Sequence, residues 1–144
     1  MKLFFDTSVL VAAGVLGHPQ HAAGLAAYRQ VMSVRHSGVV SAHGLAEAYS
    51  VLTRLPVTPM IQPTEAYRYL TESVVPHCET VSLGELDYLA LLESVAKAGS
   101  RGGIVYDAIQ LQCAVKAACD RIYTFNLKDF IRIAPQLQNK IMSP

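Results

Sequence analysis

Four acidic side chains interrupt or border apolar stretches of this chain, where charged residues are uncommon. Asp6 and Asp107 each follow an apolar run, Asp129 lies just past another, and Glu47 lies inside a fourth. Two carboxylates about 4 Å apart repel by about 4 kcal/mol at an effective dielectric constant of about 20, so converging carboxylates raise one another's pKa values. A hard divalent cation removes this repulsion, and Mg²⁺ prefers oxygen ligands. The pattern therefore predicts one shared site for a divalent cation.

The elements that must position these acids are short apolar strands that alternate with helices. Strands are predicted over residues 2–5, 39–40, 78–83 and 121–125, with a fifth, edge strand over residues 137–142. Helices are predicted over residues 9–13, 21–34, 41–55, 64–74, 84–98 and 104–118. This alternation is typical of an α/β domain whose central, mostly parallel sheet is covered on both faces. Ligands of such sheets bind outside the carboxyl ends of the strands. Asp6 and Asn126 fall at these ends, and the helices that carry Glu47 and Asp107 can begin there.

The composition indicates one domain, residues 1–144, with more apolar surface than a single core needs. Hydrophobic residues make up 51% of the chain and charged residues 16%, against the usual quarter. This surplus predicts a protein partner or a homodimer, although the tyrosine and leucine stripes of the helices are themselves expected in the core. The net charge of +1 excludes a global basic field for nucleic acid, so any such contact must be local.

The cysteines and the N-terminus bear on the cellular compartment. Cys78, Cys113 and Cys119 are an odd set without the spacing of a thiolate zinc site or a disulfide framework. Reduced thiols in a cytoplasmic protein are therefore expected. No apolar run approaches the roughly 20 residues that cross a bilayer, so no membrane association is expected. A signal peptide is the alternative interpretation of the N-terminus, but Asp6 interrupts the apolar segment.

Each of three acids also has a purely structural alternative. Asp6 could cap the helix that follows, but Thr7 and Ser8 could cap it equally well, which favours a ligand role for Asp6. Thr7 or Ser8 would then orient a metal-bound water. Glu47 could be a solvated helix residue, yet its flanking residues are both alanine. Asp107 could complement the dipole of its helix.

Two further residues stay open between a functional and a surface role. Asp129, next to Lys128, also fits an ordinary surface turn. Arg54 lies seven residues after Glu47, so the two share a helix face. Arg54 could contact a substrate phosphate or pack its stem on the surface. The five histidines show no spacing typical of zinc, so none is assigned to a metal.

The order and spacing of four short motifs resemble the PIN domain family over nearly the whole chain. The motifs are Phe5-Asp6-Thr7-Ser8, Ala46-Glu47-Ala48 on a helix ending Leu52-Thr53-Arg54, Tyr106-Asp107-Ala108 and Thr124-Phe125-Asn126-Leu127-Lys128-Asp129-Phe130. His18-Pro19 with His21 is similar to a segment common in the VapC-type toxins of that family. The resemblance implies a three-layer α/β/α sandwich and a Mg²⁺- or Mn²⁺-dependent endoribonuclease. Its catalytic residues would be Asp6, Glu47, Asp107 and Asp129, of which the first three would hold the metal.

The resemblance also implies the reaction and the partner. It implies hydrolysis of RNA phosphodiesters by a metal-activated water, with 5′-phosphate and 3′-hydroxyl products, and a toxin silenced by a cognate antitoxin protein. The chain departs from the family pattern at Asn126, a position that is often Asp. The amide of Asn126 can hydrogen-bond a water but adds no charge, and Asp129 is the candidate to supply the missing charge.

Three other functions are compatible with an α/β fold of this kind. A non-catalytic protein-interaction module is favoured by Asn126 and by the near-neutral net charge. A phospho-acceptor receiver domain would need paired acids after the first strand and a late lysine at a strand end, and the chain lacks both. A phosphatase of the haloacid dehalogenase type would need Asp at the position of Ser8.

Overall fold

Strands and helices alternate along most of the chain in the computed structural model, which describes residues 1–144. The strands are β1 (Lys2–Phe5), β2 (Ser37–Ser41), β3 (Cys78–Val81), β4 (Arg121–Tyr123) and β5 (Ile141–Met142). The helices are α1 (Thr7–Gly14), α2 (His21–Arg29), α3 (Ala42–Leu52), α4 (Pro63–Arg68), α5 (Glu85–Lys97), α6 (Ile104–Lys116) and α7 (Leu127–Ile133). A π-helical turn, Tyr69–Val74, extends α4. None of the helices combines the length and the apolar character needed to cross a bilayer.

The sheet has the strand order β3-β2-β1-β4-β5, and every neighbouring pair is parallel. All carboxyl ends of the strands therefore lie at one edge. The chain builds outward from β1 to β3 and then returns to the other side of β1, so β1 and β4 are neighbours where the strand order reverses. Such switch points leave a crevice for ligands. Asp6 directly follows β1 and Thr124 directly follows β4.

Alternating side chains of the strands supply a hydrophobic core on each face of the sheet. Leu3 and Phe5 of β1 pack with residues of α1 to α4. Phe4, between them, packs on the opposite face with residues of α5, α6 and α7. Two helical layers thus enclose one parallel sheet, which confirms the predicted three-layer sandwich.

The structure departs from the sequence prediction mainly after β4. The strand predicted over 121–125 ends at Tyr123, and residues 127–133 form α7, which the sequence pattern does not predict. A turn replaces the end of the strand because the backbone N–H of Asn126 donates to Thr124 Oγ1 at 2.9 Å. Phe130, fully buried, anchors α7 in the core. The fifth strand occupies only Ile141–Met142, because residues 137–140 form a turn in which the backbone N–H of Lys140 donates to the carbonyl of Leu137 at 2.8 Å.

Candidate metal centre

Asp6 stands directly after β1 and is only 5% exposed. Its Oδ2 accepts hydrogen bonds from Ser8 Oγ at 2.7 Å and from Thr124 Oγ1 at 2.9 Å, so the ends of β1 and β4 meet at this carboxylate. Burial raises the pKa of Asp6, and the two hydroxyl bonds partly oppose that effect. The side chain makes no capping hydrogen bond to α1, so the N-cap alternative does not account for Asp6.

Asp107 lies in the first turn of α6 and contacts the residue that precedes α7. Asn126 Nδ2 donates to Asp107 Oδ2 at 3.1 Å. Burial, followed by the charges of Asp6, Glu47 and Asp129, raises the pKa of Asp107 to about 7 from an ordinary value of 3.8. The repulsion expected between converging carboxylates is therefore a property of this fold.

A cavity of about 300 Å³ brings the acids together at the carboxyl edge of the sheet. Its polar lining comprises Asp6, Thr7, Ser8, His18, Gln20, Glu47, Asp107 and Asn126. The carboxylates arrive from three elements that are far apart in sequence, namely the end of β1, helix α3 and helix α6. All three acids predicted as metal ligands thus line one cavity.

The hydroxyls of Thr7 and Ser8 are both bonded within the protein. Thr7 Oγ1 accepts from Gln110 Nε2 at 2.9 Å. Ser8 Oγ donates to Asp6 and also accepts from the backbone N–H of Phe125 at 3.0 Å. In this arrangement the hydroxyl of Thr7 binds Gln110, and the hydroxyl of Ser8 links Asp6 to the backbone of Phe125. That one of these hydroxyls orients a metal-bound water stays a prediction.

A buried hydrogen-bond network joins the three elements that carry the acids. Gln110 of α6 is 1% exposed; its Oε1 accepts from Ser41 Oγ at 2.6 Å, and its Nε2 donates to Thr7. Ser41 in turn caps α3 by accepting from the backbone N–H of Gly44 at 2.7 Å. One amide, a single turn from Asp107, therefore ties the N-termini of α1 and α3 to α6. Sequence reasoning missed Gln110, whose only signal is a polar residue on a mostly apolar stretch of helix.

His43 is a second residue that the sequence does not single out. Its Nε2 lies 3.0 Å from Glu47 Oε2, without the alignment of a hydrogen bond, and this nitrogen has no other partner. The imidazole stacks on the ring of Tyr106. The spacing of four residues along one helix is the sequence signal for the contact between His43 and Glu47.

Asp129 and Arg54 lie outside the residues that line the cavity. Asp129 Oδ1 is 3.3 Å from Arg132 Nη2, although its charge still contributes to the raised pKa of Asp107. Arg54 is exposed, and its Nε donates to the carbonyl of Ser50 at 3.1 Å. The catalytic role of Asp129 and the phosphate contact of Arg54 stay predictions.

The donor set of the cavity fits a hard divalent cation such as Mg²⁺ or Mn²⁺. Its anionic groups are all carboxylates, with the amide of Asn126 beside them and no thiolate. Both hydroxyl bonds to Asp6 use Oδ2, which leaves Oδ1 for a ligand. No three His, Cys, Asp or Glu side chains are grouped closely enough to form a complete metal site by themselves. Mg²⁺ keeps several waters and usually needs only one or two carboxylates, so this partial set is compatible with its binding.

A parallel α/β/α sandwich with carboxylates at its topological switch point defines a class of proteins built to bind a ligand at that edge. Within this class, the chain belongs to the PIN domain family, whose model matches residues 3–135. The chain is similar to ribonuclease VapC40 of Mycobacterium tuberculosis, with 32% identity over 123 residues that cover 85% of each chain. It is also similar to ribonuclease VapC27 of the same organism, with 36% identity over 107 residues that cover 74% of this chain and 72% of that protein.

Solved structures of low sequence identity share the fold. VapC20 of Mycobacterium tuberculosis, described as a sarcin–ricin loop cleaving toxin, matches with a TM-score of 0.72 at 18% identity over 92% of this chain and 95% of its own. VapBC2 from Rickettsia felis, solved with a DNA fragment from its promoter, matches with a TM-score of 0.68 at 16% identity over 99% of this chain and 98% of its own. These matches confirm the sandwich along nearly the full length of the chain.

Proposed function

We propose that this chain is a Mg²⁺- or Mn²⁺-dependent endoribonuclease that hydrolyses RNA phosphodiesters and is the toxin of a type II toxin–antitoxin pair. The observation that carries the proposal is the convergence of Asp6, Glu47 and Asp107 on one cavity from three separate elements. The similarity to two proteins named ribonucleases, at 32% and 36% identity, supports the reaction class.

In this proposal the carboxylates of Asp6, Glu47 and Asp107 hold the cation. When bound there, the cation would polarise a phosphoryl oxygen and lower the pKa of a water. Two hydroxyl donors fix Asp6 through Oδ2, and Asn126 fixes Asp107 through Oδ2. These bonds hold the acids in one geometry before the substrate arrives, which lowers the cost of organising the site during the reaction.

Asp107 links cation binding to pH. Because its pKa is about 7, about half of the Asp107 carboxyl groups carry a proton at neutral pH when no cation is present. A ligand to a cation must be ionised, so this proton leaves on binding. We therefore expect the affinity for Mn²⁺ to rise as the pH increases from about 6 to about 8, with release of up to about one proton per ion.

We further propose that an antitoxin protein and a second copy of this chain are partners, and that the protein acts in the cytoplasm. The VapBC assemblies from Rickettsia felis and nontypeable Haemophilus influenzae among the structural neighbours support an antitoxin. The chain also offers apolar surface, since α5 exposes Leu86, Leu89 and Leu92. A cavity of about 710 Å³ bordered by α5, α6 and α7 has no acidic residue in its lining.

A non-catalytic protein-interaction module is the second candidate. It is favoured by Asn126, which brings no charge, and by the incomplete grouping of the acids. It predicts a melting temperature that does not respond to Mn²⁺ and an absence of RNA cleavage. A metal-dependent ribonuclease should cleave RNA, and its melting temperature should rise with Mn²⁺. A ligand at 100 times its dissociation constant stabilises the folded state by about 2.7 kcal/mol.

The substitution Glu47→Gln separates the two candidates. Gln keeps the size of Glu47 but loses its charge, so the variant should stay folded, lose RNA cleavage and bind Mn²⁺ more weakly. Glu93→Gln is the matched control, because Glu93 is an exposed helical acid that pairs with Lys97 at 2.7 Å. This control should cleave RNA like the wild type. Cleavage by Glu47→Gln at the wild-type rate would contradict the proposed function.

A further inference from the structure

Tyr106 and His43 form an aromatic pair beside the acidic cavity. Their rings are nearly parallel, with an interplanar angle of 13° and centroids 5.2 Å apart. His43 Nε2 lies 3.0 Å from Glu47 Oε2, and Tyr106 directly precedes Asp107 in α6. The pair therefore lies next to two of the three acids.

The ring of Tyr106 is open to solvent although its apolar neighbours in sequence predict a buried position. The residue is 50% exposed and belongs to neither hydrophobic core. His43 is more enclosed and supports the Tyr106 ring from one side. A rigid aromatic surface that is supported on one side and wet on the other can accept a further ring at little conformational cost.

We propose that Tyr106, supported by His43, is a stacking subsite for an unpaired base of the RNA substrate. The inference rests on the proposed ribonuclease function and states how the same site holds the RNA. Nucleobases that are not paired stack on tyrosine and histidine rings. A flat face parallel to a second ring matches a planar base better than it matches the branched side chains of a protein partner.

The charge of the chain adds to this argument. The net charge is +1, and the cavity beside Tyr106 is lined by three acids, so the chain offers no global basic field to attract the RNA backbone. Stacking needs no positive charge and contributes to the affinity for single strands. It also tolerates different bases, so this subsite positions the strand without strong sequence preference.

A fluorescent substitution tests the contact directly. The sequence contains no tryptophan, so Tyr106→Trp introduces a single indole at the subsite. In an Asp6→Asn background, which removes cleavage, single-stranded RNA should quench this fluorescence because a base stacks on the indole. Tyr67→Trp on α4 is the matched control, because Tyr67 is 63% exposed and, unlike Tyr106, stacks on no other aromatic ring. Its fluorescence should not respond to RNA.

Binding affinity is the second measurement. In the same background, Tyr106→Ala should weaken the binding of single-stranded RNA by about 5- to 150-fold. Tyr106→Phe should bind like the parent, and Tyr67→Ala should have no effect. In the otherwise wild-type chain, Tyr106→Ala should bind Mn²⁺ as the wild type does, which shows that the acids are undisturbed.

The outcomes separate this subsite from the proposed function. Unchanged RNA affinity in Tyr106→Ala, or fluorescence of Tyr106→Trp that RNA does not alter, overturns the subsite and leaves the ribonuclease proposal standing. A loss in Tyr106→Phe as large as that in Tyr106→Ala also overturns it, because the hydroxyl and not the ring would then make the contact. A wild-type chain that neither binds nor cleaves RNA overturns both proposals.

Discussion

In the cation-free protein, the ionised form of Asp107 destabilises the fold, and Asp107→Asn should relieve that effect. The pKa of Asp107 is about 7 in the folded protein, against an ordinary value of 3.8 that applies to the unfolded chain. Between these two values the folded state keeps a proton that the unfolded state has released. Stability therefore falls as the pH rises through this window, and the full penalty is present above it.

The size of the effect follows from the same pKa. A displacement from 3.8 to about 7 corresponds to about 4 kcal/mol if all of it acts on folding. The side chain is partly exposed, and solvent screening reduces this to about 2 kcal/mol. Asp107→Asn should therefore stabilise the cation-free protein by about 2 kcal/mol at pH 8 and by less than about 1 kcal/mol at pH 5. At pH 8 the gain corresponds to about 4–8 °C in melting temperature.

Urea denaturation in the presence of a chelator, at pH 5 and pH 8, measures both free energies of unfolding. Asp87→Asn is a control of opposite sign, because its hydrogen bond with Lys116 lowers the pKa of Asp87. That variant should lose stability at pH 8. With Mn²⁺ added, the wild type should become more stable than Asp107→Asn, because cation binding stabilises the wild type more than it stabilises the variant. An Asp107→Asn variant that is less stable than the wild type at pH 8, or equally affected at both pH values, would refute the argument that burial and repulsion make the ionised Asp107 unfavourable.

Three further substitutions test the support of the site. Gln110→Met should lower the free energy of unfolding by about 1–3 kcal/mol, because the buried hydroxyls of Ser41 and Thr7 lose their hydrogen-bond partner. A free energy of unfolding equal to that of the wild type in urea denaturation would contradict this. Gly44→Ala should destabilise although alanine is favoured by about 1 kcal/mol in helices, since its Cβ would lie 2.8 Å from Ser41 Oγ. Gly17→Ala is the control and should not destabilise the protein, because a Cβ at that position has no atom within 4 Å. Asn126→Asp should lower the melting temperature without Mn²⁺ and raise the shift that Mn²⁺ produces, and a smaller shift would count against the metal site.

Part of this fold and site could be predicted because parallel strands impose a simple rule on position. Whatever follows a buried strand lies at the carboxyl edge of the sheet, so the place of Asp6 followed from the apolar residues before it. Glu47 and Asp107 required only that their helices begin near that edge. The sandwich likewise followed from the alternation of strands with helices, and the structure confirms it.

The residues that support the acids could not be predicted, because their roles depend on contacts between elements. Gln110 is polar on a mostly apolar part of α6, and only the approach of α1 and α3 supplies its two partners. Helix α7 was missed for a related reason. The turn before it depends on the hydroxyl of Thr124, which accepts from the backbone N–H of Asn126 and donates to Asp6 at the end of β1. Local pattern carries no information about either contact.

The placement of the acids at helix N-termini explains how the fold tolerates them and why that tolerance is incomplete. Asp6 precedes α1, and Asp107 and Asp129 lie in the first turns of α6 and α7. A helix N-terminus stabilises a nearby carboxylate by only about 0.3–1 kcal/mol. Burial, together with repulsion from the other acids, outweighs that effect, as the pKa of Asp107 of about 7 shows. Near neutral pH, a proton on Asp107 and a bound cation are two ways to relieve this penalty, so the charge of the site is coupled to the binding of its ligand.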